Sequence, residues 1–95
     1  MTRQDMKAIK ESETTTIEKM RAVYQRYSDA GLELLLESIL DKRIARKEKA
    51  LMLAVGLADL KQRSESRAKY ILVQIQLCKY GEQIMKEMRS IQIAA

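Results

Sequence analysis

Ninety-five residues bound the chain to one small domain, and with 46% hydrophobic and 33% charged residues it is too apolar to stay disordered. The absence of histidine and the single cysteine exclude Ser-His and Cys-His nucleophiles, phosphoryl relay on histidine, most zinc sites and any intramolecular disulfide. The net charge of +5 is spread along the chain rather than gathered in a tail, so it admits nucleic acid, an anionic membrane surface or an acidic protein and selects none of them.

No proline and only three glycines interrupt the sequence, and Phe and Trp are absent. A core must then be built from Leu, Ile, Met, Val and Ala, mostly good helix formers, among abundant Lys, Glu, Arg and Gln that also favour helix. The expectation is an all-α single domain over residues 1–95. Residues 1–15 are expected to form a loosely ordered arm.

The first segment runs from about Thr2 to Tyr27. Met6, Ile9, Glu13, Thr16, Met20, Val23 and Tyr27 follow a 3–4 spacing that is apolar at both ends and polar in the middle. The β-branched run Thr14-Thr15-Thr16 lowers helix propensity, so the expectation is either a helix weak at that point or one firm only from near Thr16 with a loose arm before it. Tyr24 and Tyr27 suit the end of a core. The run Tyr24-Gln25-Arg26 resembles the short motif of mitochondrial assembly adaptors, but the motif's leading residue and downstream aromatics are missing, and no family is assigned on it.

Ser28-Asp29-Ala30-Gly31 is the best break, with Ser28 or Asp29 as the cap of the next helix. The second segment, about Leu32 to Gln62, carries Leu32, Leu36, Leu40, Ile44, Leu51, Val55 and Ala58 on one broad face. From Ala50 to Leu60 only Asp59 is polar. A helix apolar all round is buried on all sides, which argues for a helix partner. Ala50, Ala54 and Ala58, with Gly56 beside them, would let that helix approach closely.

Lys61 to Ser66 is the second candidate break, either a tight turn or an exposed stretch of one long helix, and the third segment runs from about Arg67 to Ile91. It bears two adjoining stripes, Ala68, Ile71, Ile75, Cys78 and Met85, and Tyr70, Leu77, Ile84, Met88 and Ile91, so contact with more than one helix is expected. Cys78 reads as a small core residue. At ~1.5 Å per residue the three segments would be about 39, 46 and 38 Å long. Such lengths suit an antiparallel three-helix bundle; the rival is a long helical hairpin in which the second and third segments fuse. Either is expected to be oligomeric, with coiled-coil-like packing.

Chemistry is thin. Isolated Gly31, Gly56 and Gly81 make no phosphate loop. Glu33, Glu37 and Asp41 form an i,i+4 row that a divalent metal could use, but a solvated face meeting cations of a neighbouring helix is the plainer reading. No catalytic residue, cofactor or metal is expected, and the chain is not expected to be an enzyme. The N-terminus, Met1 to Asp5, lacks the apolar core of a signal peptide, and the longest apolar run, Ala50 to Ala58, is too short to span a bilayer. A cytoplasmic protein is expected.

The function expected is that of a non-enzymatic helical protein–protein interaction module: an adaptor, chaperone or assembly subunit packing an amphipathic helix surface against a partner or a second copy of itself. The expected contact residues are Leu51, Met52, Leu53, Val55 and Leu57, with Met85 and Met88 at the end of the last helix. On that expectation, Leu53→Asp breaks association and spares helicity. The alternative is a small basic nucleic-acid-binding regulator using the face of Lys42, Arg43, Arg46, Lys47 and Lys49, a possible seat for phosphates. A second basic cluster is Lys61, Arg63, Arg67 and Lys69.

Overall fold

The first described helix, α1 (Ile17–Tyr24), buries Met20 and Tyr24. The structure, a computed structural model, describes residues 17–42 and 46–91; the expected arm of residues 1–15 and the residues Arg43 and Ile44 lie outside them. Among the described residues 86% are helical, in five helices and no strands. The chain is therefore all-α.

Residues Gln25 to Tyr27 turn the chain, and Ser28 caps α2 (Asp29–Asp41). The Ser28 Oγ accepts a 3.1 Å hydrogen bond from the Gly31 amide, satisfying one of the free donors at the helix start. Asp29 adds an acidic group in the first turn, where the helix dipole favours it. The break thus falls at Ser28 as expected, while Gly31 lies inside the helix. Leu32, Leu35, Leu36 and Ile39 are the buried face, the i, i+3, i+4, i+7 spacing of one apolar stripe.

The longest helix, α3 (Arg46–Arg63), has 18 residues. Its residues from Met52 to Gly56 are buried without interruption, together with Ala50, Leu57 and Leu60. The chain's own helices provide that burial: α1, α2, α4 (Glu65–Leu77) and α5 (Gly81–Ser90) all pack against α3. Gly56 marks the closest approach, since a Cβ there would run into Leu36 of α2 and meet Tyr24 of α1.

Ser64 separates α3 from α4 with an extended backbone, so the second expected break is real and helices two and three are not fused. Ala68, Ile71 and Ile75 form the core stripe of α4. The pairs Glu33–Arg67 and Glu37–Tyr70 rise together in residue number, so α2 and α4 run parallel, side by side, across α3.

Two breaks differ from the three-segment expectation. The second segment divides after Asp41, where Lys42 turns extended beside the run of like charges, and the third divides at Cys78–Tyr80. At the latter, Cys78 turns extended, and Gly81 enters α5 against the last turn of α4. A Cβ on Gly81 would collide with the carbonyl oxygens of Ile75 and Gln76, so only glycine permits this kink. The result is neither a three-helix bundle of rods near 40 Å nor a long hairpin. It is a globule of 27 × 26 × 26 Å whose long dimension matches α3 alone, about 27 Å at ~1.5 Å per residue. Cys78 lies half-buried at the end of α4 rather than in the core, its thiol donating to the Gln74 carbonyl at 3.3 Å.

Candidate interaction surface

Beyond the kink, α5 buries only Gly81 and Ile84, while Met85 and Met88 rest half-buried against the core edge. On α3, Ala54 and Ala58 have short side chains one turn apart. The space between them is an open groove of about 290 Å³, lined by Ala54, Leu57 and Ala58 of α3, Leu72 of α4 and Met85 and Met88 of α5, with Arg89 at its rim. The groove lining is apolar apart from Arg89. Lys61 lies three residues beyond Ala58 on the same face of α3 and is exposed. The groove is thus apolar along its floor, with the Arg89 cation at its edge.

Beside it lies a hollow of about 540 Å³ between α4 and α5, lined by Gln76, Gly81, Glu82, Met85, Lys86 and Arg89. It shares Met85 and Arg89 with the groove. Its size follows from the kink, which swings α5 away from the line of α4.

The expected contact residues divide. Met52, Leu53 and Val55 are interior residues of the fold, taken up by α1, α2, α4 and α5. Leu51 is half-buried against the same core. Leu57, Met85 and Met88 do meet, in the groove. Leu72 and Arg89, which complete it, were not singled out from the sequence; Leu72 adjoins Ile71 on the core stripe, and Arg89 follows Met88.

The basic face is reshaped as well. Lys42, Arg46 and Lys47 are exposed, and Arg43 lies outside the described residues. Lys49 is engaged, its Nζ donating to the Leu40 carbonyl at 3.1 Å near the end of α2. Arg46 stacks over the Tyr80 ring at 5.1 Å, and Lys79 over the same ring at 5.5 Å. Arg46 also shares a shallow hollow with Gln83, Lys86, Glu87 and Ser90 of α5. The kink therefore brings Arg46 and Lys79 to one aromatic ring and sets Arg46 beside Lys86 in the adjoining hollow, a grouping invisible while α4 and α5 are read as one helix.

The second basic cluster is largely structural. Arg63 donates to the Tyr27 carbonyl at 2.6 Å, the Tyr24 carbonyl at 3.1 Å and Asp59 at 2.6 Å, and lies 3.8 Å from Asp29. It closes the end of α1 from the end of α3. Arg67 pairs with Glu33 at 3.2 Å. Tyr70 donates to Glu37, whose carboxylate holds the phenol above its usual pKa. The acidic row on α2 thus meets a cation and a hydroxyl of α4, and among the described residues no group of carboxylates, cysteines or histidines is arranged to hold a metal ion. Tyr24 is wholly buried, and its hydroxyl donates to the Met52 carbonyl at 3.0 Å. Its ring is part of the core and unavailable to a partner.

Among the described residues no helix is long and apolar enough to cross a membrane. No protein-family model, curated protein or solved structure matches the chain.

Proposed function

We propose that the chain is a non-enzymatic interaction module, an adaptor, chaperone or assembly subunit, whose α3–α4–α5 groove receives an amphipathic helix of another protein. The observation that carries this reading is the lining of the groove: small floor residues Ala54 and Ala58, flexible walls Met85 and Met88, and no polar group until Arg89. Small residues let a helix backbone approach, and methionine adapts to the side chains that arrive. Arg89 at the margin specifies a helix with acidic residues beside its apolar face.

The test is recovery of the tagged protein from its native host after nuclease and moderate salt, with Ala58→Glu and Met88→Glu in parallel. The reading expects one stoichiometric protein, lost with either variant, whose contact segment is an acidic amphipathic helix. A partner retained by both variants, or none at all, overturns it.

A second reading, binding of nucleic acid, is favoured by one observation: Arg46 and Lys79 both lie over the ring of Tyr80, which is itself half-exposed. Phosphates would meet the cations, and a base would stack on the ring. It predicts nuclease-sensitive recovery and steep loss of binding with salt, neither of which the groove reading expects.

A further inference from the structure

We propose that α4 carries a seam through which two copies of the chain pair side by side, in parallel. Tyr70, Val73 and Leu77 stand at i, i+3 and i+7 on the side of α4 opposite its core stripe, and are 45%, 49% and 75% exposed. That is the a–d–a spacing of a helix-pairing seam. Leu34 of α2, 61% exposed, lies one turn from Glu37, the residue that holds the Tyr70 hydroxyl. It stands outward on the neighbouring helix, across the acidic row from Tyr70.

The occupant follows from area and charge. The exposed parts of these four side chains come to roughly 450 Å² per copy; the rim residues Lys69 and Gln76 carry a symmetric pair past the ~1,000 Å² that a specific interface needs. One flank of the seam is the row on α2, where Arg67 pairs with Glu33 and leaves Glu37 and Asp41 as the net negative charge, and the other flank carries Lys69 with Glu65 one turn before it. A two-fold axis along α4 sets unlike flanks together and brings the partner's Lys69 beside Glu37. An antiparallel pair would instead set the two acidic rows against each other. The second copy therefore fits in parallel, with Tyr70, Val73 and Leu77 each meeting their own equivalents.

The seam is separate from the groove. Leu72, which lines the groove, sits on the other side of α4 from Val73 and Leu77. The inference accordingly stands or falls independently of the function proposed above.

Sedimentation equilibrium of the purified full chain tests it, with circular dichroism confirming that each variant stays helical. The wild type is expected to dimerise in the micromolar range. Leu77→Glu, at a side chain outside the core, is expected to be monomeric, and Met88→Glu in the groove to remain a dimer. Lys69→Glu is expected to raise the dissociation constant roughly tenfold or more, and Lys69→Glu with Glu37→Lys to recover it. A monomeric wild type overturns the proposal and leaves the seam to a different protein. A dimer unaffected by Leu77→Glu, or one lost with Met88→Glu, also overturns it. Failure of the charge swap to restore pairing overturns the parallel arrangement.

Discussion

Arg63 shows how much one side chain can do in a fold this small. Its guanidinium donates to the carbonyls of Tyr24 and Tyr27, the first of which also accepts from the Tyr27 amide, while its i,i+4 neighbour Asp59 holds it in place. Hydrogen bonds from a charged donor are worth ~1.5–3 kcal/mol each when a partner is left unsatisfied. Arg63→Ala is expected to lower stability by about 2 kcal/mol in urea unfolding. Arg63→Lys should recover less than half of that loss, because one ammonium cannot span both carbonyls and Asp59.

Tyr24 makes a complementary case through pH. Burial, and to a lesser extent the neighbouring Tyr27, push its phenol well above the ordinary tyrosine pKa. The folded state therefore holds a proton that the unfolded chain releases above about pH 10. The raised folded pKa gives stability that is fully present below that value and lost as pH climbs. Between pH 10 and 12 the slope is expected to be steeper by ~1.4 kcal/mol per pH unit than in Tyr24→Phe, which has no proton to lose there. Equal slopes for the two proteins would mean that Tyr24 ionises without unfolding the chain.

At the scale of the helix, Gly81 decides where α5 goes. Adding a methyl group sets it against backbone oxygens that cannot rotate away, so the first turn of α5 must shift. Overpacking of this kind costs ~1–3 kcal/mol, and among the described residues α5 packs on the hydrophobic core through Ile84, Met85 and Met88. Gly81→Ala is expected to remove hydrogen-exchange protection from α5 while leaving the amides of α2 and α3 protected. Equal loss in every helix would show α5 to be integral to the cooperative unit. The same glycine explains what the sequence revealed and what it hid. The stripe Ala68, Ile71, Ile75 was legible because it lies before the kink. Counting 100° per residue through residues 78–80 carries Ile84, Met85 and Met88 onto stripes that continue from α4, and the kink resets that phase. Without proline, the only local sign of the bend was an isolated glycine, and its reason is a contact with carbonyl oxygens that no pattern of side chains records. On α2, where nothing interrupts the period, the expected cap and the apolar face of Leu32, Leu36 and their neighbours agree with the structure.

For the whole molecule, the all-round apolar stretch of α3 was legible as buried, but its cover was not. A long rod-like helix from 32 to 62 would have had too few neighbours to bury residues 52–57, so a partner was inferred. Among the described residues, the division into five helices gives α3 four neighbours from the same chain and a nearly equiaxial shape. This reverses the expected effect of substitution there. Leu53 is fully buried; losing a core leucine costs ~2–5 kcal/mol, and an unpaired buried carboxylate adds a further desolvation penalty. A domain of this size has only ~5–15 kcal/mol in total. Leu53→Asp is therefore expected to abolish the cooperative thermal transition rather than merely separate partners. Met88→Glu, at the half-buried groove wall, should keep that transition within a few degrees of the wild type. If instead Leu53→Asp melts cooperatively with native helicity, the side chain has a route to solvent and α3 is less enclosed than its packing indicates. If Met88→Glu unfolds the chain, the groove wall belongs to the core, and the surface offered to a partner must be sought elsewhere on α5.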